Sequence, residues 1–555
     1  MSVELHGTPA APGIAVAAPW LYRGGDPGTP ASVSLADAAA AAAAEVGGLA
    51  ARLRNQAHEA EAEILDAQSL MAMDPGLHDA AEALIAGGTD PAVAIVEVGE
   101  AVATDFEAIG DEVLAARGAD VRDITTRIAR LMTGAAAPRL ERRSVVVATD
   151  LAPSVTVELD RELLVGIALE GGSRTSHAAI LSRSLGIPAV VGIGGLRAAV
   201  AATAELGIDG DAGIVFLDPD AETTDRLGAV ADAARDRAGL DAMLATLALA
   251  TADGHRVTCA ANIGEPAEAE AAFASGAEAI GLFRTEFAFA GRQSAPDEAV
   301  QASAYAAVLE AADGAEVVFR LADIGGDKPI PYLPMDPEAN PFLGVRAIRL
   351  ATRHPELLPT QLRAILRASR EVGHPASIMA PMVADDADLE LVLRPVADAC
   401  AAMADAPRPR VGIMVEVPSA VLLADHLATQ VDFLSIGTND LTQYLLAADR
   451  SNADLAARQD PLHPAVLRAI AQVVAAGAAA PACRVAVCGE MAGDPVGAQV
   501  LVGLGVDELS MEPRSFGAVK RAVGAQTLAE LRAFARAALG MRSASEVRQF
   551  VESGV

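Results

Sequence analysis

The sequence is poor in cysteine and in aromatic residues. Its 555 residues include four cysteines and one tryptophan, and aromatic residues make up 3% of the chain. No two cysteines form a Cys-x-x-Cys pair, and four thiols in a chain of this length do not indicate a disulfide framework. We therefore interpret at least three of the four cysteines as small apolar residues in a reducing compartment.

Positive charge and long apolar runs are also scarce. The 42 Lys and Arg residues face 74 Asp and Glu residues, a net charge of −32, which argues against a nucleic-acid or anionic-membrane partner because both need a basic surface. No apolar run reaches the length of about 20 residues that a membrane span needs, and the first residues lack the basic segment of a signal peptide. We expect a cytoplasmic protein that holds any anionic substrate with locally concentrated Arg or Lys.

Hydrophobic residues make up 52% of the chain, which is enough for several cores. Residues Ser34–Thr133 are rich in Ala and helical in pattern, and they open on the helix-start signal Ser34-Leu-Ala-Asp37. Residues Ser144–Pro219 alternate short apolar strands with helices, which is typical of an α/β domain. Because the first ~20 residues also look extended, we predict that they join this domain and that the helical region is an insertion in it. A charged helical linker is predicted over Thr223–Leu249.

The remaining residues, from Gly254 onward, contain about eight strand candidates separated mostly by helix patterns. A TIM barrel needs eight such units in a row. The candidates are Val257–Ile263, Ala279–Phe283, Val317–Leu321, Ser377–Met382, Val411–Val415, Phe433–Ile436, Val485–Cys488 and Glu508–Met511.

Polar residues follow several of these strands, at the face where barrel enzymes place their active sites. Arginines bind phosphate and carboxylate groups by bidentate hydrogen bonds, and two carboxylates from different strands suit Mg²⁺. Any one of these residues alone could be a routine polar residue at a strand end, but together they predict a site for a small phosphorylated acid and a divalent metal. They are Arg284, Arg320, Asp323, Lys328, Glu416, Asn439, Asp440, Arg450, Cys488 and Glu490.

A histidine at the start of a predicted helix is the second candidate. His177 lies in Gly171–Gly192, GGSRTSHAAILSRSLGIPAVVG, directly after small residues that let another molecule approach. A neutral imidazole is a good nucleophile toward phosphorus, and a helix N-terminus favours the phosphate that it would receive. A hydrogen bond from Thr175 to one ring nitrogen would fix the tautomer and leave the other nitrogen free to attack. The alternative is that Ser176 caps the helix and that His177 is an ordinary early helix residue.

Both candidate regions resemble signatures of the phosphoenolpyruvate (PEP)-utilising enzymes. The histidine stretch resembles their phosphohistidine signature, and FLSIGTNDLTQYLLAADR resembles their second signature. Within this family the chain is most similar to enzyme I of the bacterial sugar phosphotransferase system. The motifs GTPAAPGIAVA, VVVATDLAPS, GLFRTEFAF, ADIGGDKPIPYLP and NPFLGVRAIR also fit, in order and over essentially the whole chain.

The resemblance implies a reaction and a role for each residue. PEP would bind at the barrel mouth, held by Arg284, Arg320 and Arg450 with help from Asn439; Lys328 and Arg346 are further candidates. Glu416 and Asp440 would ligate Mg²⁺, His177 would attack the phosphorus through Nε2, and Cys488 would protonate the enolate to give pyruvate. The phosphoryl group would then pass to a histidine of the carrier protein HPr. A homodimer formed through the barrel domain is also implied.

The expected fold is multidomain α/β, with a swivelling phosphohistidine α/β domain, an inserted α-helical domain and a TIM (β/α)8 barrel. The expected domains are 1–24 with 137–222 for the phosphohistidine domain, 25–136 for HPr docking, 223–250 for the linker and 251–555 for the barrel. The family usually has glycine where Ser173 stands, which would matter if that position needs a positive φ.

Two other functions stay open at this point. One is a PEP synthase or dikinase, although the sequence has no Walker-type GxxxxGK[ST] loop. The other is a phospho-binding scaffold without turnover, against which the set of His177, Glu416, Asp440 and Cys488 argues.

Overall fold

The computed structural model describes residues 3–22, 31–54, 59–108, 112–173, 176–289, 292–326, 330, 332–333, 335, 338–450, 452, 455, 458–480 and 482–553. The chain divides into two compact units, Met1–Arg237 and Ala238–Val555. In the part of the chain that is described, none of the helices is both long and apolar enough to cross a membrane.

The first unit contains a mixed sheet of eight strands in the order β1-β8-β7-β3-β4-β5-β6-β2. Strands β3, β4, β5 and β6 run parallel, and the other neighbours are antiparallel. The strands are β1 (Val3–His6), β2 (Thr8–Ala11), β3 (Ile14–Leu21), β4 (Ser144–Ala148), β5 (Leu164–Leu169), β6 (Ala189–Val191), β7 (Leu206–Asp209) and β8 (Ile214–Leu217).

The sheet is buried on both faces. Val145 and Val147 of β4 belong to one apolar cluster, and Val146 and Ala148 belong to another. Successive side chains of a strand point to opposite faces, so a strand covered on both sides is apolar at every position. This is why β4 is an unbroken apolar run from Val145 to Ala148, of the kind from which the α/β pattern of this region was predicted, and the structure confirms that pattern.

In the described part of the chain, five helices lie in the sequence between β3 and β4, although these two strands are direct parallel neighbours. The helices pack around a single apolar cluster that includes Val46, Leu65, Ile95 and Ile128. Helix α3 begins after Asp74, whose side chain accepts hydrogen bonds from two backbone N–H groups, and Pro75 stands at its first position. The helices are α1 (Leu35–Arg54), α2 (Glu59–Met71), α3 (Pro75–Ala86), α4 (Pro91–Ala108) and α5 (Glu112–Thr133).

Four further helices follow among the residues described in this half of the chain: α6 (Pro153–Glu158), α7 (His177–Ser184), α8 (Leu196–Val200) and α9 (Ala221–Ala245). Helix α9 covers most of the predicted linker and crosses the boundary between the two units. It buries few of its residues, which is the expected behaviour of a charged connecting helix.

A buried polar network joins helix α5 to helix α6. Arg127 donates hydrogen bonds to Glu45 (2.8 Å), Ser154 (2.9 Å) and Glu158 (2.6 Å). Asp123 accepts a hydrogen bond from Ser154 Oγ at 3.0 Å, while its Oδ2 is buried with no hydrogen-bond partner among the described residues. Burial raises the pKa of Asp123 to about 6, against the opposing effect of Arg127.

Asp123 gives the stability of the first unit a pH dependence. An acid with a higher pKa in the folded than in the unfolded state binds its proton more tightly when folded. The contribution of Asp123 to the free energy of unfolding therefore falls as the pH rises from 3.8 to about 6. The shift corresponds to about 3 kcal/mol. Asp123→Asn is expected to raise the free energy of unfolding at pH 7 by about 1–3 kcal/mol and to make that free energy depend less on pH between pH 4 and 7. Urea unfolding at several pH values, followed by the fluorescence of Trp20, the single tryptophan, gives the free energy of unfolding at each pH.

The control for this prediction is Asp232→Asn, because Asp232 pairs with Arg235 on the surface and both side chains are largely exposed. That change should leave the free energy of unfolding within about 0.5 kcal/mol of the wild type. An Asp123→Asn protein with an unaltered pH profile would contradict the assignment to Asp123.

The second unit contains a closed barrel of eight strands, all parallel, in which β16 pairs with β9. All eight predicted strands are present, within a few residues of their predicted ends, which confirms the TIM-barrel prediction. They are β9 (Thr258–Ile263), β10 (Ala279–Arg284), β11 (Val317–Arg320), β12 (Ser377–Ala380), β13 (Arg410–Val415), β14 (Phe433–Ile436), β15 (Arg484–Val487) and β16 (Glu508–Met511).

Helices surround these strands and share one apolar cluster with them. Short 3₁₀ helices follow several strands, at Thr285–Ala288, Pro341–Leu343, Ala347–Thr352, Glu490–Gly493 and Pro513–Ser515. The α-helices are α10 (Glu268–Ala274), α11 (Glu298–Ala312), α12 (Leu357–Val372), α13 (Asp386–Ala402), α14 (Pro418–Leu422), α15 (Ala424–Leu427), α16 (Thr438–Leu446), α17 (Pro464–Ala479), α18 (Pro495–Leu504), α19 (Phe516–Gly524), α20 (Leu528–Ala538) and α21 (Ala544–Ser553).

Candidate active site

A cavity of about 480 Å³ lies at the carboxyl ends of the barrel strands. Most of the polar residues predicted from the strand ends line it, because the carboxyl ends of parallel strands meet at one face of a barrel. These lining residues are Arg284, Arg320, Asp323, Glu416, Asn439, Asp440, Arg450, Cys488 and Glu490. Lys328 lies outside the described residues.

Two of the arginines end neighbouring strands. Arg284 is the last residue of β10 and Arg320 the last residue of β11, and their Cα atoms are partners in the register of the two strands. Arg284 is exposed. The buried Arg320 donates a hydrogen bond to Glu286 at 2.9 Å, and its Nε has no hydrogen-bond partner among the described residues. An anion in the cavity can therefore be bound by one accessible guanidinium and one that is held in place.

Glu286 also fixes the segment after β11. Its Oε1 accepts a hydrogen bond from the backbone N–H of Asp323 at 2.6 Å. Asp323 in turn accepts two hydrogen bonds from Arg346, at 3.0 and 2.7 Å, in the planar bidentate arrangement that suits a guanidinium and a carboxylate. Arg346 is fully buried, and the same Nη2 that bonds Asp323 lies 3.6 Å from Asp440 Oδ2, while its Nη1 has no hydrogen-bond partner among the described residues.

The third arginine of the cavity, Arg450, lies against an aromatic ring. Its guanidinium carbon is 5.3 Å from the centre of the Phe342 ring, and that of Arg346 is 5.9 Å from it. Arg450 Nη1 is 3.6 Å from Asp440 Oδ1. A cation over a ring face gains electrostatic stabilisation, so Phe342 helps to hold Arg450 in the half-exposed position from which it faces the cavity.

The two predicted metal ligands are both buried. Glu416 follows β13 and accepts a hydrogen bond from the backbone N–H of Met382 at 2.7 Å. Asp440 lies in the first turn of α16, and its Oδ1 accepts no hydrogen bond from the described residues. Burial, and then the charges of Asp440 and Asp323, raise the pKa of Glu416 above its usual range. Carboxylates crowded in this way are stabilised by a cation between them.

Asn439 and Glu490 connect the ends of β14 and β15. Asn439 Nδ2 donates to Glu490 Oε1 at 2.9 Å, and the backbone N–H of Glu490 donates to Asn439 Oδ1 at 3.0 Å. Cys488, two residues before Glu490, is 3% exposed. Burial raises the pKa of its thiol to about 11, so the sulfur carries a proton at neutral pH and is equipped to act as an acid.

Three family descriptions match successive parts of the chain. Residues 6–117 match the N-terminal domain of PEP-utilising enzymes, residues 140–213 their mobile domain and residues 239–528 their PEP-binding domain. The last match alone covers more than half of the chain. The chain belongs to the family of PEP-utilising enzymes.

Curated relatives agree with this assignment to the PEP-utilising family. The PEP-protein phosphotransferase of Haloferax volcanii is 41% identical over 525 residues, 93% of this chain and 91% of the relative. That of Bacillus subtilis is 39% identical over 501 residues, 89% of this chain and 87% of the relative. The multiphosphoryl transfer protein of Xanthomonas campestris pv. campestris is 44% identical over 457 residues, 81% of this chain. The chain spans about half of that relative's length, 54%.

The histidine loop of this PEP-utilising enzyme lies in the first unit. Helix α7 begins at His177, whose side chain lies outside the described part of the structure, as do Arg174 and Thr175. Ser176 occupies the N-cap position but makes no side-chain cap; its hydroxyl donates to the carbonyl of Ser173 instead, at 2.9 Å. The backbone at Gly172 has a φ of +88°, whereas Ser173 does not adopt a positive φ. Serine in place of the usual glycine is therefore tolerated without backbone strain.

Two residues that hold arginines of the cavity, Glu286 and Phe342, were not predicted from the sequence. Glu286 lies two residues beyond Arg284, so a reading of strand ends that extended through GLFRTEF would have found it. Phe342 gave no such signal, because an aromatic residue after Asn340-Pro341 is more often part of a core than a support for two arginines.

Proposed function

We propose that this chain transfers the phosphoryl group of PEP to His177 and then to a histidine of the carrier protein HPr, releasing pyruvate. The observation that carries the proposal is the single cavity in which three arginines, an asparagine, two buried carboxylates and a protonated thiol converge. The names of the relatives from Haloferax volcanii and Bacillus subtilis, PEP-protein phosphotransferase, support it.

The arginines account for substrate binding. PEP carries a phosphate and a carboxylate, and guanidinium groups bind both by paired hydrogen bonds. Arg320, anchored by Glu286, and Arg450, supported by Phe342, provide fixed donors, while the accessible Arg284 closes on the ligand. Asn439 offers an amide beside them. Because the donors are held before the substrate arrives, little reorganisation is needed during the reaction.

The charges of the cavity fit a divalent cation. Its lining carries three arginines against five carboxylates, those of Glu286, Asp323, Glu416, Asp440 and Glu490, and PEP adds further negative charge. No group of three or more His, Cys, Asp or Glu residues gathers as a metal site among the described residues. Mg²⁺ commonly uses one or two carboxylates and completes its shell with water and substrate phosphate, so Glu416 and Asp440 suffice to hold it. When bound, it would neutralise charge on the phosphate and the developing enolate.

The transfer itself needs a nucleophile and an acid. The His177 imidazole attacks phosphorus, an N–P bond forms, and the bond from phosphorus to the C2 oxygen of PEP breaks, which leaves the enolate of pyruvate. Cys488 then gives its Sγ proton to C3 of the enolate, and the thiolate regains a proton from water. A thiol with a pKa of about 11 remains protonated until it is needed.

The transfer also requires movement. His177 and the cavity belong to different compact units, and the reacting atoms must come within about 3–3.5 Å. We propose that the α/β region of residues 1–24 and 137–222 swivels as a body, so that His177 reaches first the barrel and then HPr.

HPr would dock on the helical insertion of residues 25–136, where Leu70 and Met73 are exposed beside Asp66 and Asp74. A homodimer through the barrel region belongs to the same proposal.

The decisive experiment is PEP-dependent phosphorylation of HPr by the purified chain. With Mg²⁺ and ³²P-labelled PEP, the chain should acquire an acid-labile label that moves to added HPr. If ATP and pyruvate label the chain when PEP is omitted, the PEP synthase or dikinase alternative is correct instead. If PEP binds without any labelling, the chain is a scaffold without turnover.

Removal of the metal is expected to weaken both PEP binding and transfer. Treatment with EDTA should lower labelling by at least about 10-fold, because the carboxylates of the cavity then repel the substrate, and added Mg²⁺ should restore it. Glu416→Gln and Asp440→Asn should raise the Mg²⁺ concentration needed for half-maximal PEP binding, measured by calorimetry. The matched control is Glu310→Gln, on the outer surface of α11. Metal-independent labelling would contradict the assignment of the two ligands.

A further inference from the structure

The backbone of Cys488 is held on both sides. Its N–H donates to the carbonyl of Ile436 at 3.1 Å, as β15 pairs with β14. Its carbonyl accepts a hydrogen bond from Asn262 Nδ2 at 3.0 Å. Asn262 lies near the end of β9, and β16 separates β9 from β15 in the barrel. A side chain therefore reaches past the intervening strand to restrain the residue that carries the thiol.

The orientation of the Asn262 amide is determined by its partners. A carbonyl oxygen only accepts, so the group that faces the Cys488 carbonyl must be the Nδ2 donor. Asn262 Oδ1 then accepts from Ser510 Oγ at 2.7 Å. Ser510 is fully buried on β16, and a side chain at Gly281 would place its Cβ 2.5 Å from Ser510 Oγ. The glycine therefore leaves the space in which this relay of hydrogen bonds is formed.

The two anchors fix the direction of the Cα–Cβ bond of Cys488 and with it the position of Sγ. The sulfur itself makes a long contact of 3.8 Å with the Ile436 carbonyl and also faces the Ser435 hydroxyl. Proton transfer requires the donor atom within hydrogen-bond reach of the acceptor, and a displacement of about 1 Å can cost about 10²-fold in rate. The backbone restraint therefore contributes to where the thiol proton is delivered.

We infer that Asn262 is a positioning residue for proton transfer from Cys488, and this inference rests on the proposed function. In that step the S–H bond breaks, the enolate electron pair forms the new C3–H bond, C2 regains its carbonyl, and the thiolate takes a proton from water. Asn262 is not among the described residues that line the cavity, and its amide contacts the carbonyl of Cys488 rather than its sulfur. It acts by holding the carbonyl of Cys488, and Ser510 acts through Asn262.

The test separates proton transfer from substrate binding. Asn262→Ala is expected to lower kcat for pyruvate formation, with HPr present, by at least about 10-fold, while the Kd for PEP measured by calorimetry stays within about 2-fold. Exchange of the pyruvate methyl hydrogens in D₂O, followed by proton NMR, should slow by the same factor. Ser510→Ala should show a smaller loss of the same kind. The control is Ser377→Ala, which should show no loss because Ser377 is the first residue of β12 and lies at the end of the barrel opposite the cavity.

A double variant excludes a merely structural role. If Asn262 acts only through the thiol, Asn262→Ala should cause no further loss of methyl exchange in a Cys488→Ser protein. Multiplicative losses, an unchanged kcat in Asn262→Ala, or a parallel loss of PEP affinity would each overturn the inference. A wild-type chain that PEP does not label would instead overturn the proposed function, so the two failures are distinguishable.

Discussion

His177→Ala is expected to abolish phosphorylation of the chain by PEP and, with it, all transfer to HPr. The reason is that a covalent phosphoryl carrier has no substitute: alanine offers no lone pair to phosphorus, and water is not positioned to replace the imidazole. We expect a loss of at least about 10³-fold, as for other removals of a catalytic nucleophile. Rapid-quench measurement of ³²P incorporation from labelled PEP determines it.

The control variant for this prediction is His255→Ala, because His255 is exposed in the turn before β9. It should retain full labelling. The His177→Ala protein should bind PEP with unchanged affinity in calorimetry, since none of the described residues that line the cavity at the barrel mouth is a histidine. Residual acid-labile label in His177→Ala would place the phosphorylated residue elsewhere and would contradict the proposal.

The barrel and most of its site were predictable from local sequence. Parallel strands buried on both faces are apolar throughout, so each barrel strand is visible as a short apolar run. The residue that ends such a run lies at a known face of the barrel. This is why Arg284, Arg320 and Glu416 could be placed together although more than 130 residues separate the first from the last.

Contacts between distant segments were not predictable in the same way. The hydrogen bond from Asn262 to Cys488 joins residues 226 positions apart, and nothing in the local pattern of β9 distinguishes Asn262 from an ordinary strand polar residue. The same holds for Asp123 and Ser154, whose pairing depends on how α5 packs on α6. Local periodicity determines which face of an element is buried, but the partner on that face is determined by the tertiary fold.

Cys488→Ser is expected to slow turnover far more than it weakens binding. A serine hydroxyl is a much weaker acid than a thiol and fills nearly the same space, so the variant removes the acid while keeping the cavity. Loss of a general acid typically costs about 10²–10⁴-fold in rate, and the Kd for PEP should stay within about 3-fold because the arginines are unchanged. Pyruvate formation coupled to lactate dehydrogenase gives kcat, and calorimetry gives Kd.

A second cysteine supplies the matched control for Cys488. Cys483 precedes β15 just as Cys488 follows it, it is also buried, and burial likewise raises the pKa of its thiol to about 11. It lies at the opposite end of the barrel from the cavity, so Cys483→Ser alters a similar thiol without touching the site. If both variants lose the same fraction of kcat, the loss reports damage to strand β15. A selective loss in Cys488→Ser, with PEP affinity preserved, assigns the proton to the sulfur at the barrel mouth.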